Sequence, residues 1–438
     1  MIYETFGKLK MGSLMTTRIR ALLVVLMAVL LVACGSSNKP TVSFMVFGGP
    51  EELAAYESLV DAFHETQSEV RVELRYVPDQ AEYRRRLAAD FSAGAAPDVM
   101  LLNYRRFASF AGQGGLQPVG DYLANSPLLR ESDFYPQTID AFRFEGELWC
   151  IPQNMSSLVV YYNQDLFDAA GLAYPADDWT WQEFLETAQQ LMVDVDGDGR
   201  PERYGAGIEP TLNRLAPFIW QAGGELVDEP LNPTRLALDS PAAQAGMQWF
   251  VALQTVHKVV PDALAQSAES NESRFLNGTL AMYFNSRRGV PTYRTITSFT
   301  WDVAPLPRGS QAAGILHSDG YCMAASSSEK EAAWRFIEFA NSPTGQELVA
   351  RTGRTVPSLR AVAESPAFLE PSQAPARSRV FLDTIEGVRL VPVMANWPAI
   401  EDTASQDIEQ AFFGQVSVAQ AAASAILRTS QYFEGEAP

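Results

Sequence analysis

The chain has 438 residues, 47% of them hydrophobic, with 33 Lys and Arg against 52 Asp and Glu and a formal net charge of −19. That length exceeds one ordinary core and predicts two domains. The acidic balance argues against nucleic acid or an anionic bilayer surface as partner, although a local pocket can oppose the global sign.

Arg18 and Arg20 precede an unbroken apolar run from Ala21 to Ala33, which Cys34 closes. The run is too short to span a bilayer as a stable helix and has the build of a secretory signal. Leu30-Leu31-Val32-Ala33-Cys34-Gly35 resembles a bacterial lipobox, in which the cysteine is lipidated and becomes the first mature residue. The resemblance implies a signal peptide over 1–33, a lipid-anchored tether over 34–40, and an extracytoplasmic location on the membrane's periplasmic face or the cell surface. The alternative is a signal anchor with an unrelated cysteine. Removing residues 1–33 leaves 29 basic and 51 acidic residues, a net charge of −22. Two cysteines remain, Cys150 and Cys322. Outside the cytoplasm they can bond or stay as separate buried thiols, and sequence does not give their separation.

Thr41–Phe47 reads as an apolar strand ending at Gly48-Gly49-Pro50. Pro50 suits a first helical turn, and Leu53, Tyr56, Leu59, Val60 and Phe63 follow at helical spacing. Val70, Val72, Leu74 and Tyr76 alternate with charged residues, as in a half-buried strand. Tyr83, Leu87 and Phe91 stripe a second helix, and Val99–Leu102 is a third strand. This β-α-β-α-β order predicts a parallel sheet, with ligands beyond the carboxyl ends of its strands, at Gly48, Gly49 and Asn103-Tyr104-Arg105. Farther on, Thr180 and Glu183 form a capping box. Glu331–Ala340 is a helix broken by Asn341-Ser342-Pro343, and the Pro/Ser-rich stretch Ser365–Ser378 reads as a loop.

Several segments in order resemble the bacterial extracellular solute-binding proteins of ABC importers, the maltose-binding-like group that mostly carries sugars. They include Ala96-Pro97-Asp98-Val99-Met100, Gly146-Glu147-Leu148-Trp149-Cys150-Ile151-Pro152, Tyr161-Tyr162-Asn163-Gln164-Asp165-Leu166-Phe167, Asn277-Gly278-Thr279-Leu280-Ala281-Met282 and Trp301-Asp302-Val303-Ala304-Pro305. The resemblance implies an α/β fold of two lobes, each a mainly parallel sheet flanked by helices, with the ligand cleft at the hinge. It places the first lobe at 41–155 plus 306–342 and the second at 156–305 plus 343–438. Crossings fall near Met155–Leu158, near Ala304–Leu306 and just after residue 340. It further implies a monomer that captures a sugar or related polyol and delivers it to an ABC permease in the cytoplasmic membrane, with no required cofactor and no turnover.

Trp397, in Val391-Pro392-Val393-Met394-Ala395-Asn396-Trp397, matches the family's late aromatic ligand contact. Asn103, Tyr104 and Arg105 match ligand positions after the third strand. Asn154 and Ser156 match the crossing strand, and Asp319 and Tyr321 flank Gly320 in a similar strand. Sugars take aromatic faces against their C–H surfaces and convergent donors and acceptors at their hydroxyls. One departure is Arg287-Arg288, which stands where many sugar binders carry an aromatic platform. Arginine forks suit carboxylate or phosphate, so Arg288 with Arg105 fits an acidic sugar or a sugar or polyol phosphate. The alternative is arginines that bond sugar hydroxyls or form salt bridges.

Asp194-Val195-Asp196-Gly197-Asp198-Gly199 has the spacing of a calcium loop, with Arg200 offering its carbonyl and Glu202 assisting. The position of the closing bidentate Glu holds Gly205, and a loop held by Asx turns is the alternative. A secreted carbohydrate-active enzyme would need two opposed carboxylates. Sequence does not exclude such a pair, yet the chain has only 3 His and carries neither an H-E-x-x-H nor a G-x-S-x-G motif.

Overall fold

The strand Thr41–Phe47 is buried along all but its first residue, because both of its faces are covered. In this computed structural model, which describes residues 39–197, 200–370 and 372–434, it pairs in parallel with Arg71–Val77 and Val99–Asn103. The signal segment with Cys34, and Asp198 of the acidic loop, lie outside the described residues. Helix Pro50–Thr66 turns its apolar stripe inward, and Phe63 meets Phe336 and Phe339 of helix Lys330–Ala340 with ring centroids 5.4 Å apart in each case. The fourth member of this sheet comes from far along the chain. Strand Asp319–Ala324 runs antiparallel to Val99–Asn103 and carries Leu116–Gln117 and Cys150–Pro152 on its other edge.

The second sheet has the order Tyr204–Gly207, Leu280–Asn285, Val159–Asn163, Trp301–Ala304, with the first pair parallel and the other two antiparallel. Its core is aromatic: Tyr161 lies against Tyr293 at 4.8 Å, and Trp181 stacks on Trp249 at 4.5 Å. Helices Trp397–Phe412 and Val418–Thr429 pack on helices Leu212–Gln221 and Pro241–Thr255. The architecture is the expected two-lobed α/β one, and both sheets are more mixed than the parallel start of the chain implies. From Thr41 onward the described residues form one compact unit. Among the described residues no helix is long and apolar enough to cross a membrane.

The lobe boundaries differ from those read from sequence. Residues 306–313 stay with the second lobe: Arg308 N–H donates to Trp179 O at 2.9 Å, and Gln221 Nε2 donates to Ala313 O at 2.9 Å. The chain crosses at 314–318 instead, where Ser156 and His317 exchange backbone hydrogen bonds of 2.7 and 2.8 Å. Helix Pro343–Ala350, assigned to the second lobe, packs on Pro50–Thr66 through its apolar face. The first lobe then continues past Leu359, which bridges Phe134, and the chain is back in the second lobe at Ala374, whose carbonyl accepts from Arg294 Nε. The stretch Ser365–Ser378 is no plain loop either, since Ser365 caps a one-turn helix, Pro366–Leu369.

Cys150 and Cys322 sit opposite each other on neighbouring antiparallel strands and form a disulfide across 172 residues of sequence. It locks the late return strand into a sheet whose other strands all lie between Thr41 and Pro152. Replacing both cysteines with serine is expected to lower unfolding free energy by about 2–5 kcal/mol, through a less constrained unfolded chain, as read by denaturant titration of wild type against the double variant.

Candidate functional site

The crossing segments and the strand ends beside them line a cleft of about 460 Å³ between the lobes. The backbone sets its floor. Asn154–Met155 pairs with Val356–Pro357, and the Ser156–His317 bridge lies alongside. Asn103 ends one strand and Asp319 begins its antiparallel neighbour, so the pair stand opposite at the sheet's edge, with Asn103 Nδ2 donating to Asp319 Oδ1 at 3.1 Å. Asn154 Oδ1 accepts from the Asp319 N–H at 3.2 Å, and Asn103 Oδ1 accepts from Arg105 Nε at 3.1 Å. Six residues expected at the site, Asn103, Arg105, Asn154, Ser156, Arg288 and Asp319, do line the cleft.

Tyr104, Tyr321 and Trp397 do not. Tyr104 and Tyr321 are fully buried; Tyr104 turns into the core towards Val391 N–H, and Tyr321 lies two residues deeper along its strand than Asp319, with its hydroxyl accepting from Gln153 Nε2 at 2.9 Å. Trp397 opens helix Trp397–Phe412 with its ring at 0% exposure, so it offers no face to a sugar. No Phe, Tyr or Trp ring is among the described residues that line this cleft. The same segment contributes one turn later, through Glu401, Asp402 and Ser405.

Sequence reasoning missed Gln80, Arg84, Glu209, Asn213, Arg214 and His317, all lining the cleft. Thr211 caps helix Leu212–Gln221, which brings Asn213 and Arg214 to the cleft in its first turn. Arg214 Nε donates to Glu209 Oε2 at 3.1 Å and Nη2 to Asn285 Oδ1 at 3.2 Å. Arg214 Nη1 and Asn213 Oδ1 are buried with no partner among the described residues, and such atoms are the ones a ligand satisfies. The Glu209-Pro210-Thr211 helix start was the signal available.

His317 Nε2 lies 3.1 Å from Asn213 Nδ2. Burial, then the Arg214 and Arg105 guanidiniums, hold its pKa well below the ordinary 6.5, so the ring stays neutral. Arg105 bonds Glu401 across the cleft, both side chains being nearly buried at 14% and 13% exposure, whereas Arg106 lies 3.8 Å from an Asp402 that is 67% exposed. Successive residues of the turn Arg287–Gly289 diverge. Arg287 is buried over Phe368 and Phe381, with Nε donating to Gly353 O at 2.6 Å, while Arg288 reaches into the cleft.

In the acidic loop, Asp194 Oδ1 accepts from Gly197 N–H at 2.8 Å and Glu202 Oε2 from Val195 N–H at 2.9 Å, the bonds of the turn alternative. Asp196 and Arg200 lie on the same loop. Among the described residues no three carboxylate, imidazole or thiol groups converge as a metal site.

A sequence model of the family described as bacterial extracellular solute-binding protein matches residues 48–347, more than half of the chain. The chain is 25% identical over 413 residues to the mannitol-binding protein of Pseudomonas aeruginosa, covering 87% of this chain and 90% of that protein. Its fold is similar to an ABC substrate-binding protein from Listeria monocytogenes in complex with cycloalternan, with a TM-score of 0.82 and 23% identity over 90% of this chain and 99% of that one. It is also similar to UgpB from Mycobacterium tuberculosis in complex with glycerophosphocholine, with a TM-score of 0.76 and 23% identity over 90% and 98% of the two chains.

Two outcomes follow for stability. Glu401→Gln strands a nearly buried guanidinium and is expected to cost about 3 kcal/mol, while Asp402→Asn at the exposed pair costs under about 1 kcal/mol, both read by urea denaturation. Because the fold keeps His317 neutral, the unfolded chain binds more protons as the pH falls below about 6.5. The contribution of the neutral ring is therefore whole above that pH and is lost as the pH drops. His317→Gln should lose less stability than wild type between pH 7 and 5.5.

Proposed function

Because the chain belongs to the bacterial extracellular solute-binding protein family, whose members serve ABC transporters as binders of sugars and polyols rather than as enzymes, we propose that its mature part captures a small hydroxyl-rich solute in the interlobe cleft and hands it to a membrane permease. In this reading lipid on Cys34 tethers the protein outside the cytoplasm, a monomer suffices, and no cofactor takes part.

The observation that carries the reading is the double origin of the cleft. Asn103, Asp319 and Gln80 come from one lobe, and Glu209, Asn213, Arg214 and Arg288 from the other. A solute that bonds both sets binds the closed arrangement better than the open one, and only such a difference in affinity drives closure. The volume suits a monosaccharide-sized to disaccharide-sized solute. The convergent amides, carboxylates and guanidiniums suit hydroxyls, and the mannitol-binding relative supports a polyol or sugar. Of the cleft's carboxylates, Glu209 and Glu401 are each engaged by an arginine.

The test is thermal and denaturant unfolding of the mature chain against monosaccharides, sugar alcohols, oligosaccharides and their phosphorylated or oxidised forms. A true ligand at a hundred times its dissociation constant adds about 2.7 kcal/mol, and X-ray scattering should show a smaller radius of gyration. The solute recovered afterwards is unchanged by NMR. A new product, or no stabilisation by any compound of the panel, rejects the reading.

A further inference from the structure

Five guanidiniums line the cleft, those of Arg84, Arg105, Arg214, Arg288 and Arg354. Three of them are already matched: Arg105 by Glu401, Arg214 by Glu209 and Arg354 by Glu52. The other two are not. Among the described residues Arg84 makes no hydrogen bond or ion pair, and Arg288 has only the Gln80 amide oxygen at 2.8 Å and the Phe47 ring face at 5.5 Å.

These two residues line the same cleft from different lobes. Gln80 and Arg84 are one turn apart on helix Gln80–Ser92, and therefore on one face of it. Arg288 reaches that same Gln80 from the second lobe. Two cations thus flank one amide, each solvent-reaching and without a carboxylate. Burial and then the neighbouring Arg106 and Arg105 push the Arg84 guanidinium below its ordinary range, against weaker opposing pulls from Asp319 and Asp402. A guanidinium does not shed its proton in a protein, so this position favours an arriving anion.

We propose that Arg84 and Arg288 form a clamp, one jaw on each lobe, for an anionic group, and that the solute is a sugar or polyol bearing a phosphate or carboxylate. This rests on the cleft being the solute site. The anion sits between the two forks, which present paired N–H donors to its oxygens. The hydroxyls run along the cleft towards Asp319, Asn154 and the unpartnered Asn213 Oδ1 and Arg214 Nη1. Closing the lobes without an anion brings two like charges together, and closing them on one neutralises both, so the charge of the solute gates closure. Arg105, the other arginine expected to read an acidic ligand, is already neutralised by Glu401 and serves the lobe contact instead.

The probes are glycerol 3-phosphate, glucose 6-phosphate, mannitol 1-phosphate and glucuronate, each titrated into the mature chain by calorimetry beside glycerol, glucose and mannitol. At least one anionic probe should bind, with its neutral parent weaker by at least about tenfold. Whether a phosphate ester or glucuronate binds tells the two anion chemistries apart. Arg84→Met and Arg288→Met should each weaken that binding by at least about tenfold, the worth of one charged hydrogen bond. Arg85→Met removes the same charge from the next position, where Arg85 pairs with Glu82 in solvent, and should leave affinity within about twofold. Far-ultraviolet circular dichroism confirms that each variant is folded. Neutral parents that bind as well as the anions, or anion binding that survives both substitutions, overturn the clamp and leave the solute-binding reading standing. No binding by any of the four anions also overturns it. Turnover of a probe overturns the solute-binding reading itself.

Discussion

The lobes are held in register by the backbone bonds between the segments that cross from one to the other. Asn154–Met155 on Val356–Pro357, Ser156 on His317, and Gly314–Ile315 on Val388–Arg389 bring distant parts of the chain side by side. Every residue on the cleft floor takes its position from these ladders. Asn154, Ser156, His317 and Asp319 lie within or next to paired backbone, so their side chains project from fixed points while the lobes they join can rotate. The disulfide Cys150–Cys322 anchors the ladder at its first-lobe end, where the return strand enters the sheet.

Local physics made single elements legible. The strand Thr41–Phe47 and the helix opened by Pro50 fall where hydrophobic period and proline chemistry put them, and the Thr180 capping box starts its helix as read. Lobe boundaries were not legible, because a crossing carries no period or capping signal of its own. Pro343–Ala350 follows a clear helix break, yet what decides its lobe is the apolar face it lays on Pro50–Thr66, a contact almost three hundred residues away in sequence.

Position along a strand fixed which candidate site residues reached the cleft. Asn103 and Asp319 are terminal residues of paired strands and face solvent-filled space. Tyr104 and Tyr321 are one and two residues off those ends and are core. Large aromatic side chains gain most from full burial, at roughly 25 cal/mol per Å², and Trp397 follows that rule despite matching a ligand position. Arg84 was hidden for the opposite reason. Within Arg84-Arg85-Arg86 the sequence gives three like residues, and only the placement of the second lobe decides which one borders a cleft.

A strongly acidic chain with arginines in its cleft is no contradiction. The net charge governs solubility and long-range encounter, whereas a partly enclosed cleft feels the groups within a Debye length of about 8–10 Å. The pair Arg287-Arg288 shows how local that control is. Arg287 is buried without a carboxylate, and burial lowers its pKa to about 9. It is kept by two aromatic faces and the Gly353 carbonyl, and so fixes the turn from which Arg288 departs. A slip of one residue in this turn would exchange the anchor for the cleft arginine. The buried, uncompensated cation is therefore tied to the site: its desolvation is a cost of orienting the neighbour that bridges to Gln80 and Phe47, and through them to the other lobe.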